Sequence, residues 1–161
     1  MSQTPDPSSF MRKAERALAS ARVLLHAGDA EGACNRAYYA MFDAARAALM
    51  LLPEGTAPIA TIKTHRGLIM AFGQYLVATD RIDPAFGRSL NQVEKLRLSS
   101  DYFGDVLPAE DGLWAVEQAE TFVNVVKVLC GWLPHCKWRI ELLARWSGAV
   151  LCPACRCSRA C

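Results

Sequence analysis

Two short stretches place guanidinium, phenol and carboxylate groups where they could act together on one substrate. In ACNRAYYAMFDAARAAL (residues 33–49), Arg36, Tyr39 and Asp43 recur at three- and four-residue steps, with Arg46 at the edge of the same face. That spacing lines them along one side of a helix. In VEKLRLSSDYFGD (residues 93–105), Arg97 and Asp101 lie one helical turn apart, with Glu94 beside them and Tyr102 next in the chain. A guanidinium fork holds phosphate oxygens, a phenol stacks on a base or donates its hydroxyl, and a carboxylate can accept a proton. The same residues also compose plain ion pairs, Arg36 with Asp43 and Arg97 with Asp101, that would only brace helices. Spacing by itself leaves both readings open.

A third stretch, IKTHRG (residues 62–67), holds Lys63, His65 and Arg66. It is the one local basic cluster in the main part of the chain, and it could touch phosphate. Its plainer reading is a histidine at a helix start that makes a packing or backbone contact. His26 falls at the end of the first helix, where a cation suits the helix dipole, and His135 lies in the C-terminal stretch. Neither has a functional setting.

These residues sit in a pattern that is helical throughout. Ser8 or Ser9 can cap a first helix that ends at Gly28, with Ala14, Leu18, Ala21 and Val23 as its apolar positions. A second runs from about Asp29 to Leu52. Along it Cys34, Tyr38, Met41, Ala45 and Ala48 form an apolar stripe, and Ala33, Ala37, Ala40, Ala44 and Ala47 form a strip of small residues beside it. A third helix spans Thr61 to Thr79, with Leu68, Ile69, Phe72 and Leu76 on its inner side. Asp83 and Pro84 open a fourth that ends near Gly104, and on it Arg97 and Asp101 continue the buried line of Phe86, Leu90 and Val93. Pro108 opens a fifth, with Val116, Ala119, Phe122, Val126 and Leu129 on one face. Alternating strand patterns and fixed-period repeats are absent. The expected fold is all-α, an up-and-down bundle of four to five antiparallel helices.

Composition agrees and narrows the function classes. The 161 residues, 52% of them hydrophobic, suffice for one domain with a sizeable core. No apolar run approaches the roughly 18–20 residues that span a bilayer, and MSQTPDPSSF does not read as a secretory signal, so the cytoplasm is the expected location and no membrane partner is expected. The net charge of +2 hides a split: residues 136–161 carry five basic residues against Glu141, a balance of +4, which leaves the rest at −2. Nucleic-acid binding by the main domain must therefore come from a local constellation and not a general basic field. Five of the seven cysteines also lie in those last residues, leaving Cys34 and Cys130 as expected buried free thiols.

Four separated blocks, NRAYYAMFDAARAAL, KTHRGLIMAFGQYLV, LNQVEKLRLSSDYFGD and AVEQAETFVNVV, together resemble the HEPN family. The likeness is to its small stand-alone branch, often encoded beside minimal nucleotidyltransferases, and it covers roughly residues 8–133. The resemblance implies a dimeric four- or five-helix bundle that needs no cofactor. It also implies a metal-independent RNase toxin whose antitoxin is the nucleotidyltransferase, or an inactive member that only binds a nucleotide, RNA or that partner. Active relatives carry an arginine followed after a few residues by a histidine, and two such histidines meet across the dimer cleft. Here Asp101 and Tyr102 follow Arg97, and Asp43 stands where relatives have a histidine in AYYAMFHAA. The resemblance thus implies Arg97, Asp101, Tyr102 and Asp43 as catalytic candidates, and Arg36, Tyr39, Lys63 and His65 as nucleotide or RNA contacts. An arginine near Asp43 is expected to lower its pKa. A plain structural bundle would instead give Arg36 and Arg97 internal carboxylate partners.

The likeness stops near Pro134. Residues 1–134 read as the bundle and 135–161 as a Cys-, Trp- and Arg-rich extension. Its Cys152, Cys155, Cys157 and Cys161 could hold zinc as four thiolates, but structural zinc sites usually separate their cysteine pairs by a dozen or more residues, so no metal is assigned. WRIELLARW within it could form a short amphipathic helix docking on the bundle.

Overall fold

The computed structural model describes residues 6–53, 56–57, 59, 62–103 and 106–132, with residues 101–103 described by their backbone alone. The extension and its five cysteines lie outside the described residues, as do the side chains of Asp101 and Tyr102.

Five α-helices, and no strand among the described residues, make up the fold: α1 (Pro7–His26), α2 (Ala30–Met50), α3 (His65–Phe72), α4 (Pro84–Phe103) and α5 (Ala109–Leu129). The cap of α1 is Asp6, not Ser8 or Ser9. Its carboxylate accepts from the Ser8 N–H at 3.2 Å, and Pro7 fits the first helical position because a proline there loses no hydrogen bond. Met11, Ala14, Leu18 and Ala21 form the buried line of α1. Val23, expected inside, lies off that line and is exposed.

Gly28 adopts a left-handed φ of +81°, which turns the chain directly into Asp29, and the Asp29 carboxylate caps α2 by accepting from the Gly32 N–H at 2.7 Å. Both stripes of α2 are buried, and α2 is the hub that packs against α1, α3, α4 and α5. The small residues permit this. At Gly112 of α5 an added Cβ would lie 2.9 Å from the Ala30 Cα, so the two helix backbones meet with no room for a methyl group. Phe72 of α3 and Phe122 of α5 stack in the core at 5.2 Å between centroids.

The third helical segment is shorter than its apolar pattern and changes pitch. Thr64 caps it, its hydroxyl oxygen accepting from the Gly67 N–H at 3.0 Å, so α3 starts at His65. From Gly73 to Val77 the segment is π-helical, and the Ala78 N–H reaches back five residues to the Gly73 carbonyl at 2.9 Å. Asp83 caps α4 by accepting from the Ala85 N–H at 2.7 Å. On α4 Leu90 and Val93 are buried, and on α5 Val116, Ala119, Phe122 and Val126 are buried, while Leu129 on the last turn remains 37% exposed. Ion pairs Arg22–Glu120 and Lys127–Glu15, both at 2.5 Å, join α1 and α5, which run antiparallel. Cys34 is buried and Cys130 half-buried, and burial pushes the Cys130 thiol up to about 11. No helix among the described residues is long and apolar enough to cross a membrane.

Candidate functional site

The charged and aromatic residues of three separate helices meet beside Tyr38. This residue is 0% exposed, and its hydroxyl lies 2.9 Å from Nδ1 of His65, the first residue of α3. The Thr64 cap fixes where α3 begins and so brings that imidazole against α2. Phe42, one turn beyond Tyr38, covers the imidazole at 4.5 Å between centroids, and Tyr39 meets it edge-on at 5.9 Å. The His65 ring is thereby held among three aromatic rings of one helix.

From α4, Arg97 closes over the same group. Its guanidinium carbon is 4.9 Å from the Tyr38 ring centroid and 5.9 Å from that of Tyr39. Arg36, exposed on α2, approaches the Tyr39 ring at 5.1 Å and donates to the Asn35 side-chain oxygen at 3.0 Å. Such cation–aromatic contacts contribute about 0.5–2 kcal/mol each, more where water is excluded. Arg97 is half-buried with its Nε fully covered, so this guanidinium is oriented by the fold, whereas Arg36 stands at the solvent edge. Burial drives the ionisation of Tyr38 far above the ordinary phenol value of 10.0, the Glu94 charge adds to the effect and Arg97 opposes it.

The sequence candidates therefore divide. Arg36, Tyr39, His65 and Arg97 come together. Lys63 and Arg66 flank His65 as exposed side chains. Asp43 is half-buried one turn beyond Tyr39, but the charges it feels are those of Lys13 on α1 and Arg46. Contrary to the expected depression, its carboxyl is raised above the ordinary value of 3.8, because burial outweighs both cations. Arg46 itself stacks over Phe10 of α1 at 5.2 Å and donates to the Ile62 carbonyl at 3.3 Å, which ties the approach to α3 onto α2.

Two participants are not evident from the charge pattern. Tyr38 and Phe42 fall among the apolar positions of α2, where any large hydrophobe would serve. The available signal was the phenol itself: a buried tyrosine needs a partner for its hydroxyl. The histidine of the KTHRG block is that partner.

Comparison with known proteins matches this helical framework. A model of the HEPN domain matches residues 8–135. A UPF0332 protein of Gloeobacter violaceus is 38% identical over 101 residues, covering 63% of this chain and 75% of the relative. A protein of Methanocaldococcus jannaschii whose name marks it as a candidate toxin is 34% identical over 114 residues, covering 71% of this chain and 81% of the relative. A second protein of that organism, named in the same way, is 25% identical over 119 residues, covering 73% and 77%.

Proposed function

The chain belongs to the HEPN domain family, and from that premise we propose that it is the toxin half of a HEPN/nucleotidyltransferase module, a dimer that engages and cleaves RNA without a metal ion. The observation that carries this reading is the Arg97 guanidinium, oriented over the Tyr38 and Tyr39 rings beside the His65 imidazole, with Arg36 at the exposed edge. Two guanidinium groups on an aromatic floor suit a phosphodiester and the base next to it. The relatives named as candidate toxins support the toxin role.

In this reading Arg36 and Arg97 bind the non-bridging oxygens of one phosphate, and His65 adds a hydrogen bond. A ribose 2′-hydroxyl then attacks the adjacent phosphorus, the 5′-oxygen departs, and a 2′,3′-cyclic phosphate remains. The guanidinium charges favour the extra negative charge of the transition state. The 2′-hydroxyl proton passes to the carboxylate of Asp101 and the departing 5′-oxygen takes a proton from the phenol of Tyr102, both about one turn beyond Arg97 along α4.

One observation favours a second, non-catalytic reading. Asp43, which replaces the histidine of relatives, stands among Lys13 and Arg46 and not beside Arg97. A protein that binds RNA or a nucleotide for its nucleotidyltransferase partner needs the cations and rings but no proton acceptor. The test is cleavage of tRNA and mRNA by the purified full chain with no metal added, with Arg97→Ala as the control for contaminating nucleases. Cleavage by the wild type alone, leaving cyclic-phosphate ends, supports the toxin reading. RNA binding without cleavage supports the second, and neither binding nor cleavage overturns both.

A further inference from the structure

The buried hydroxyl of Tyr38 decides which nitrogen of His65 carries the proton. A phenol has one proton to donate, and a buried donor without an acceptor is strongly disfavoured. Among the described residues, Nδ1 of His65 is the hydrogen-bond partner of that hydroxyl, at 2.9 Å. The guanidinium over the ring cannot receive the proton, because it carries donors only. The phenol also keeps its proton at physiological pH, since burial and the Glu94 charge both oppose its ionisation.

We infer that Tyr38 donates to Nδ1 and so holds neutral His65 with its proton on Nε2, which makes His65 a hydrogen-bond donor toward an anionic oxygen and not a proton acceptor. The alternative tautomer would point Nδ1–H at the phenol oxygen and leave the phenol proton without an acceptor in the core. His65 is half-buried, and with Nδ1 held by Tyr38 the Nε2–H, which points away from Nδ1 across the ring, is the donor left for a ligand. Tyr38 is then a positioning residue, acting through His65 and touching no ligand itself. This deepens the proposed RNA-engaging reading and rests on it for the ligand, a phosphodiester oxygen. The tautomer stands on the structure alone.

The first experiment needs no ligand. Two-bond proton–nitrogen correlation spectra of the full chain, taken above the ordinary titration range of histidine, should show His65 with Nε2 protonated and Nδ1 bare. Tyr38→Phe, which keeps the ring in the core, should release this into a mixture of tautomers. A wild-type His65 protonated at Nδ1 overturns the inference, as does an unchanged Nε2–H tautomer in Tyr38→Phe. The second experiment measures binding of a fluorescent single-stranded oligoribonucleotide. A glutamine amide can donate from the Nε2 position and an asparagine amide only from near Nδ1. His65→Gln should therefore bind within about threefold of wild type, and His65→Asn should lose about tenfold or more. Equal binding by the two variants removes the donor role. Failure of the wild type to bind removes the RNA reading, while the spectra still decide the tautomer.

Discussion

The guanidinium of Arg97 lies 4.9 Å from the ring centroid of Tyr38, so a charged residue of α4 closes over the most deeply buried phenol of α2. That contact couples the fold to the site, and substitution at Arg97 should affect both. Arg97→Ala should weaken oligoribonucleotide binding by about tenfold or more, the loss of one charge-assisted phosphate contact, and lower stability by about 0.5–2 kcal/mol. Arg97→Lys should recover little of either, because an ammonium neither spreads over two rings nor forks onto a phosphate. Anisotropy titration and urea unfolding separate the two effects. Full binding by the lysine variant would show that charge alone is read.

Asp43 makes a prediction in pH. Its carboxyl is raised above 3.8, first by burial, with Lys13 and Arg46 pulling the other way. A raised carboxyl binds its proton more tightly in the folded than in the unfolded state. Stability contributed by this group is then complete below the unfolded value and declines as pH rises through the folded one. At neutral pH the folded protein carries the remaining cost of a half-buried carboxylate. Asp43→Asn should raise the urea midpoint at neutral pH, and the gain should shrink as pH falls toward 3.8. A variant less stable than wild type at neutral pH would show that Lys13 and Arg46 outweigh burial.

The helices were legible because their signals are local. The alanine strip of α2, the Asp83–Pro84 start of α4 and the apolar face of α5 are read from neighbours three and four residues apart. The switch from α to π at Gly73 was not legible, since an apolar stripe of Phe72 and Leu76 serves either pitch. The site was half legible for a related reason. Charge marked Arg36 and Arg97, and Tyr39 is the ring they share, but the group that ties Arg97 to His65 is Tyr38, a phenol disguised as core that meets a histidine 27 residues away in the chain. Helical spacing put Asp43 on the same face as Tyr39 with Arg46 at its edge, yet only the packing of α1 brings the Lys13 charge to it.

The ion pair Arg22–Glu120 links α1 to α5 at 2.5 Å but is largely open to solvent. Exposed pairs contribute about 0–1 kcal/mol, because water screens the attraction and two long side chains lose freedom. A double-mutant cycle with Arg22→Ala and Glu120→Ala should give a coupling below about 1 kcal/mol that fades with added salt. Coupling well above that, insensitive to salt, would mean the pair is shielded in solution, as it would be under a partner.

Gly112 and Gly73 should respond in opposite directions to the same methyl group. Alanine exceeds glycine in helix propensity by about 1 kcal/mol, so either substitution gains that much from the backbone alone. At Gly73 nothing lies within 4 Å of the added Cβ, and Gly73→Ala should be neutral or mildly stabilising. At Gly112 the Cβ would meet the Cα and Cβ of Ala30 at 2.9 Å and its carbonyl oxygen at 3.0 Å. Two of those atoms are backbone, so no rotamer change relieves the clash, and α5 must move away from α2. Overpacking of this kind costs about 1–3 kcal/mol, which exceeds the propensity gain, and Gly112→Ala should be net destabilising in urea or thermal unfolding. Because α2 also carries Tyr38 and Arg36, the displacement should reach the site as a weaker Tyr38–His65 contact, visible as a change in the His65 imidazole resonances. A Gly112→Ala variant as stable as Gly73→Ala, with those resonances unmoved, would show that α2 and α5 do not pack at backbone contact.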